Sequence, residues 1–244
     1  MEIVILAAGK GSRFKSKKIS NKCLIKIKGK SLVKKILIDS DKLNVNSKKI
    51  IVGFNSRKLK NHLNKFKVKF IKNNYYKSKD MMYSFKIALL EQKEDMIISY
   101  SDIYYSIKIL KKINTLKKDN ILLPVQKNWE KIWKKRNKDI YEDCESLQFD
   151  RNKILTEIGN KTKDRNKIMA QYMGLIFIPY SLKNKILKVL RSLNINRMHI
   201  TTFLNLLCKK KFIIKTLPTD DYWYEFDDLQ DLENFSTIKN SKNG

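Results

Sequence analysis

Near the start of the chain, Gly9, Gly11, Arg13 and Lys22 follow the apolar run Ile3-Val4-Ile5-Leu6-Ala7-Ala8, and together they have the types and spacing to hold a polyanion. A short β-branched run that breaks abruptly into glycines is how a buried parallel strand delivers its C-terminal end to an anion. Gly9 and Gly11 let backbone N–H groups come close to phosphate oxygens, and Arg13 and Lys22 add charge that a neutral loop lacks. The ligand implied is a nucleoside triphosphate. Neither the Walker spacing nor G-x-G-x-x-G is present.

A second group of residues could hold a metal. Met96-Ile97-Ile98-Ser99-Tyr100 reads as a buried strand that ends in Ser101-Asp102. A carboxylate just past a central strand is placed to hold Mg²⁺ against triphosphate oxygens. Further on, Trp129 and Trp133 are four apart and share one helical face, followed by Arg136 and then Asp143 and Glu145. Either the tryptophans form a small hydrophobic staple, or they wall an acceptor pocket in which Arg136 meets a phosphate and Asp143 with Glu145 a cationic amine. His62 and His199 stand alone and are given structural roles.

The elements that must position these residues alternate. After a helical pattern at Leu32, Val33, Ile36 and Leu37, strands are expected at 50–54, 68–71, 96–100 and 121–125, with helices over 57–66, to about Leu90, and over 105–116. This is the rhythm of an α/β, Rossmann-like, doubly wound and mostly parallel sheet, whose ligands sit beyond the carboxyl ends of the strands. A hairpin over 146–149 and 154–158 and a strand over 169–178 form a small mixed β insertion covering the acceptor site. Gly174 in that strand suggests close approach by a ligand or by neighbouring backbone. Helices over 181–193 and 200–208 and a strand over 211–217 follow.

The formal charge of +29 invites a nucleic-acid reading. The lysines, however, run from Lys10 to Lys242, interleaved with Asn and Ile, and no nucleic-acid-binding signature accompanies them. The charge reads as a solvated basic surface that assists capture of anionic substrates. Cys23, Cys144 and Cys208 are widely spaced without C-x-x-C, which suggests a reducing cytoplasm and neither a disulfide framework nor zinc. The N-terminal apolar run is too short for a signal peptide or a membrane span.

The full string Leu6-Ala7-Ala8-Gly9-x-Gly11-x-Arg13, with Lys22-x-Leu24 and the turn Gly29-Lys30-Ser31-Leu32, resembles the signature of the sugar-phosphate and alcohol-phosphate nucleotidyltransferases. Asn21 stands where that signature has proline. The pattern W-x-x-x-W-x-x-R, then D-x-E-S-L and Gln171-Tyr172-Met173-Gly174-Leu175, resembles the cytidylyltransferases of phosphocholine, 2-aminoethylphosphonate or phosphoglutamine.

That resemblance implies nucleotide contacts from Leu6, Ala7, Ala8, Gly9, Gly11, Ser12, Arg13 and Ser84, with Arg13 and Lys22 as the catalytic cations. Asp80 replaces an asparagine of the family's base-recognition loop, so either Ser84 reads the base or Asp80 caps a helix and Ser84 is merely exposed. The acceptor would meet Trp129, Trp133, Arg136, Asp143, Glu145, Gln171 and Tyr172. A closing motif over Trp223, Glu225, Asp227 and Asp231-Leu232 makes Asp227 the second metal carboxylate beside Asp102. Asp228 would point to the other side of an extended segment.

The expectation is a single nucleotidyltransferase domain over 1–244, with a nucleotide-binding half at 1–126 and an acceptor-binding insertion and metal-ligand segment at 127–244. Its activity would be Mg²⁺-dependent transfer of CMP from CTP to a small phosphorylated or phosphonate amine, releasing pyrophosphate for surface glycan or lipid decoration. The alternatives are a sugar-1-phosphate uridylyl- or thymidylyltransferase and, in another class, a basic nucleic-acid-binding protein on a transferase fold. The expected partners are CTP and the acceptor, with no specific nucleic acid and no membrane span; a homodimer is left open.

Overall fold

The computed structural model describes the chain except residues 12–13, 15–20, 44, 78–80, 117–118, 137–138 and 241–244 and the side chains of 236–240. The expected contacts of Ser12, Arg13 and Asp80 therefore lie outside the described residues.

Strand β1 (Glu2–Ala7) is buried along its whole length. Ile3 and Ile5 enter one core cluster, whereas Val4 and Leu6 enter another. This period of two, with both sets apolar, is why the strand reads as a continuous hydrophobic run: each face of the sheet is covered. Burying each such side chain contributes about 1.5–3 kcal/mol.

The short strands β2 (Lys26–Ile27) and β3 (Lys30–Ser31) form a hairpin across Lys28 and Gly29, both at positive φ, 49° and 77°. A two-residue turn of that kind matches the twist of its strands. Ser31 then caps helix α1 (Leu32–Asp41) by accepting a hydrogen bond from the Lys34 N–H, so the Gly29–Leu32 signature is a turn followed by a helix cap.

Strand β4 (Ser47–Val52), helix α2 (Ser56–His62), strand β5 (Lys69–Lys72), helix α3 (Met81–Leu90) and strand β6 (Met96–Tyr100) complete the βαβ units. Strand β7 (Ile103–Tyr105) precedes α4 (Ile107–Thr115), β8 (Ile121–Gln126) and α5 (Trp129–Arg136). The hairpin β9 (Glu145–Phe149) and β10 (Leu155–Lys161) is followed by β11 (Gln171–Tyr172), β12 (Leu175–Ile178), α6 (Lys183–Arg191), α7 (Ile200–Lys209), β13 (Ile214–Thr219), β14 (Trp223–Glu225) and α8 (Leu229–Asn240).

The main sheet runs β11-β8-β12-β6-β1-β4-β5, with β13 also on β8. Pairs β6-β1, β1-β4, β4-β5 and β13-β8 are parallel, and β12 is antiparallel to both β6 and β8. The doubly wound expectation holds, with an antiparallel strand set into the sheet. Helix α1 packs on one face through Val33, Ile36 and Leu37, and α3 and α7 pack on the other through Phe85, Phe203 and Leu207.

Two expectations change. The strand over 169–178 divides at Met173-Gly174, where β11 leaves β8 and β12 joins β6. Gly174 has φ 73°, and a Cβ there would sit 3.0 Å from the Tyr100 ring, so the close approach comes from a neighbouring side chain. Tyr105, expected to open a helix over 105–116, instead ends the strand β7 because it pairs with Trp223 of β14.

Candidate active site

A cleft of about 780 Å³ opens beyond the carboxyl ends of β1 and β6. Leu6, Ala7, Gly9 and Gly11 line its entrance from β1, while Ala8 is buried and does not. Gly11 has φ 61°, and a Cβ on it would lie 3.0 Å from Lys22 Cγ. Glycine is needed there because the Lys22 side chain passes directly over that backbone.

Lys22 opens a 3₁₀ turn, Lys22–Leu24. Asn21, in the family's proline position, is buried, and its Nδ2 donates to the Phe54 carbonyl at 3.0 Å. A side-chain amide thus ties the segment to the loop after β4, where proline would stiffen it covalently.

The centre of the cleft is a charge cluster built by the small β7–β14 ladder. Glu225 pairs with Ile103, and the Phe226 N–H donates to the Asp102 carbonyl at 3.0 Å. Asp102 enters from the end of β6 and Asp227 leaves from the end of β14. In an extended segment, Glu225 and Asp227 share a face. One carboxylate oxygen from each of Asp102, Glu225 and Asp227 lies within 4.8 Å of the other two. Lys22 Nζ reaches Asp227 Oδ1 at 2.8 Å and Asp102 Oδ2 at 3.4 Å.

The electrostatics follow from this crowding. Burial, then Asp227 and Asp102, push the Glu225 carboxyl up to about 8. Burial likewise raises Asp102, with Lys22 pulling the other way and Asp227 adding to the rise. Burial opposes the charge on Lys22, but Asp102 and Asp227 together outweigh it and hold its ammonium above the usual lysine range. Asp102, Glu225 and Asp227 form a hard, all-oxygen donor set, with the Lys22 ammonium on one side and the Arg136 guanidinium, 3.8 Å from Glu225, on the other, and such a set fits a divalent cation such as Mg²⁺. Glu225 belongs to this set although sequence reasoning gave it no role; its i,i+2 spacing from Asp227 was the available signal.

Behind Asp227 stands Arg136. Its Nε and Nη2 hold both oxygens of Asp231 at 2.7 and 3.1 Å, and Nη2 reaches Asp227 Oδ2 at 3.3 Å. The guanidinium also lies over the rings of Trp133 and Tyr224. This corrects the expected role: Arg136 does not line the cleft to meet an acceptor phosphate, because its donors already face Asp231 and Asp227. Asp231 and Asp228 cap α8 reciprocally, Asp231 N–H to Asp228 Oδ1 at 3.0 Å and Asp228 N–H to Asp231 Oδ2 at 3.4 Å.

The tryptophans divide. Trp133 lines the cleft and stacks on Trp223, with centroids 5.9 Å apart and planes at 14°. Trp129 is fully buried against Trp133 and Tyr141 and is a core residue, not a wall of the pocket. Asp143, Glu145, Gln171 and Tyr172 all line the cleft, and Gln171 Nε2 donates to the Glu145 carbonyl at 2.9 Å.

Ser84 is also corrected. It is buried outside the cleft, where its Oγ accepts a hydrogen bond from Asn73 Nδ2 at 3.0 Å, and Asn73 Oδ1 in turn accepts from the Tyr75 N–H. It shapes the loop after β5, and Met81 lines the cleft in its stead. His62 bonds Ser31 Oγ at 2.8 Å, a structural contact. His199, Lys161 and Arg197 line the cleft without any sequence signal, since the turn before α7 and the end of β10 meet there only in three dimensions.

Residues 3–161 match the model of the MobA-like NTP transferase domain. The chain is 32% identical over 251 residues to the CTP:phosphoglutamine cytidylyltransferase of Campylobacter jejuni, covering 96% of this chain and 98% of that protein. In fold it is similar to the inositol-1-phosphate CTP transferase of T. maritima, with TM-score 0.75, 21% identity and coverage of 98% and 96%. A second similar structure is the CTP:phosphocholine cytidylyltransferase LicC of Streptococcus pneumoniae, with TM-score 0.73, 18% identity and 98% of each chain covered. With its glycine loop, its cation and its carboxylates at the carboxyl ends of a doubly wound sheet, the chain belongs to the MobA-like NTP transferase family and is a nucleotidyltransferase.

Proposed function

We propose that the protein transfers CMP from CTP to the phosphate or phosphonate oxygen of a small amine-bearing acceptor, with release of pyrophosphate. The observation that carries this reading is the Lys22–Asp102–Asp227 cluster, set between a glycine loop and a wall bearing Asp143, Glu145 and Trp133. Full-length similarity to a cytidylyltransferase supports the choice of CTP.

An acceptor oxyanion attacks the α-phosphorus in line, the new P–O bond forming as the bond to pyrophosphate breaks. A phosphate oxygen is already ionised near neutral pH, so no general base is required, and catalysis consists of positioning and charge neutralisation. The Gly9–Gly11 backbone and Arg13 take the β- and γ-phosphates. Lys22 neutralises charge between the α-phosphate and the incoming oxygen, which requires its ammonium to leave Asp227. Asp102, Asp227 and Glu225 would hold Mg²⁺, which supplies further neutralisation of the triphosphate when bound. Asp143 and Glu145 attract the ammonium end of the acceptor, and the Trp133 ring adds aromatic surface beside it.

No helix among the described residues is long and apolar enough to cross a membrane. With three free cysteines, a cytoplasmic enzyme supplying an activated group for surface glycan or lipid decoration is consistent with the chain. The test is pyrophosphate release across CTP, UTP, dTTP and GTP with phosphocholine, 2-aminoethylphosphonate, phosphoglutamine and glucose 1-phosphate. CTP with a phosphorylated amine should be best; a hexose 1-phosphate with UTP or dTTP as the best pair would overturn the reading.

A further inference from the structure

Two charged side chains of the central cluster stay out of the cleft. Asp102, Glu225 and Asp227 line it, whereas Arg136 and Asp231 do not. Their side chains are 8% and 6% exposed, against 25% for Glu225 and 22% for Asp227. A cation in the cleft therefore reaches Asp227 and Glu225 from one side while the Arg136 guanidinium stands behind them. Nη2 lies 3.3 Å from Asp227 Oδ2, and Nη1 lies 3.8 Å from Glu225 Oε2. A buried guanidinium at that range lowers the affinity of both carboxylates for any other cation unless a further carboxylate takes up its charge.

Asp231 is placed to do so. Its Oδ1 accepts from Arg136 Nε at 2.7 Å and its Oδ2 from Nη2 at 3.1 Å, a two-point pairing that neither Asp227 nor Glu225 receives. The same Oδ2 accepts from the Asp227 N–H at 2.7 Å. Asp227 is thereby held by its backbone and by Oδ2, with Oδ1 turned toward Lys22 at 2.8 Å. Capping α8 explains only part of this. A cap asks for an acceptor oxygen, which asparagine also offers, whereas two-point pairing with a guanidinium asks for a carboxylate.

We propose that Asp231 is a positioning residue for the metal site: it fixes the backbone of Asp227 and takes up the charge of Arg136, so that Asp227 and Glu225 keep theirs for the divalent cation. Without its charge, Arg136 turns to Asp227 and Glu225 and competes with the metal for them. This rests on the metal-site part of the cytidylyl-transfer reading and adds a residue that touches neither metal nor substrate.

The experiment measures Mn²⁺ binding to nucleotide-free protein by electron paramagnetic resonance, with a melting temperature for each variant. Asp231→Asn should weaken binding at least about tenfold, the scale of one neighbouring charge on a partly buried carboxylate. Asp231→Glu, which keeps the charge, should stay close to wild type. Asp231→Asn combined with Arg136→Met removes both buried charges and should restore the affinity lost in the single variant, an outcome that a purely structural role would not give. Arg136→Met alone should bind Mn²⁺ at least as tightly as wild type, which tests the idea even if Asp231→Asn does not fold. Unchanged affinity in Asp231→Asn would reduce Asp231 to a helix cap. Weaker binding in Arg136→Met, or no recovery in the double variant, would make Arg136 a support of the metal ligands and not their competitor. Wild-type protein that binds no Mn²⁺ would overturn the metal assignment together with this proposal, whereas each of the other contrary results overturns this proposal alone.

Discussion

The ammonium of Lys22 lies 2.8 Å from Oδ1 of Asp227, inside the carboxylate cluster where a divalent cation would be held. In the proposed reaction Lys22 neutralises the transferring phosphoryl group; here its ammonium neutralises the carboxylates that would hold the metal. A divalent cation bound there would compete with Lys22 Nζ for the same oxygens.

Replacing Lys22 by alanine should therefore have two effects. The kcat should fall far more than the KM for CTP rises, because the contact to the transferring phosphorus strengthens only toward the transition state. In the absence of nucleotide, Mn²⁺ measured by electron paramagnetic resonance should bind the variant more tightly than the wild type. A variant with normal kcat and unchanged Mn²⁺ affinity would show Lys22 to be a ground-state clamp remote from the metal.

Asp102→Asn and Asp227→Asn should each lower turnover by at least about a hundredfold while far-ultraviolet circular dichroism stays native, since each removes a charged ligand from Mg²⁺. Near-normal pyrophosphate release from either would end the assignment.

Glu225 gives a pH signature in metal-free protein. Its carboxyl titrates at about 8 when folded, against an ordinary 4.5. Between these values the native state binds more protons than the unfolded chain, so this group makes stability fall as pH rises through that window. Lys22, held above the usual lysine range, remains charged throughout. Melting temperatures in chelator should decline from about pH 5 to pH 8, and Glu225→Gln should flatten the decline. An unchanged slope in the variant would assign the effect to another group.

Arg136→Met should cost roughly 3–5 kcal/mol, because it leaves the buried Asp231 and the neighbouring Asp227 without their shared cation. Chemical denaturation measures it. If stability is retained and only the KM for acceptor rises, Arg136 is an acceptor ligand after all.

The convergence of several candidate residues on one cleft was legible in the sequence because its signals are local: a β-branched run that ends in Gly9 and Gly11 marks a strand end, and the place of Asp102 just past a central strand puts it at the carboxyl edge of the sheet. The i,i+2 spacing of Glu225 and Asp227 was a signal left unread. The doubly wound fold was equally legible, since strand and helix periods alternate within short windows. What the sequence left open concerns partners far apart in the chain. Arg136 reads as a free cation until Asp231, 95 positions later, takes its guanidinium. Trp129 and Trp133 are alike in sequence and both are buried, and only the packing of α5 against Tyr141 and Trp223 seals the first within the core while the second still borders the cleft. Local composition fixes which side chains can do chemistry; long-range pairing decides which of them keep their charge for a ligand and which are consumed in holding the others in place.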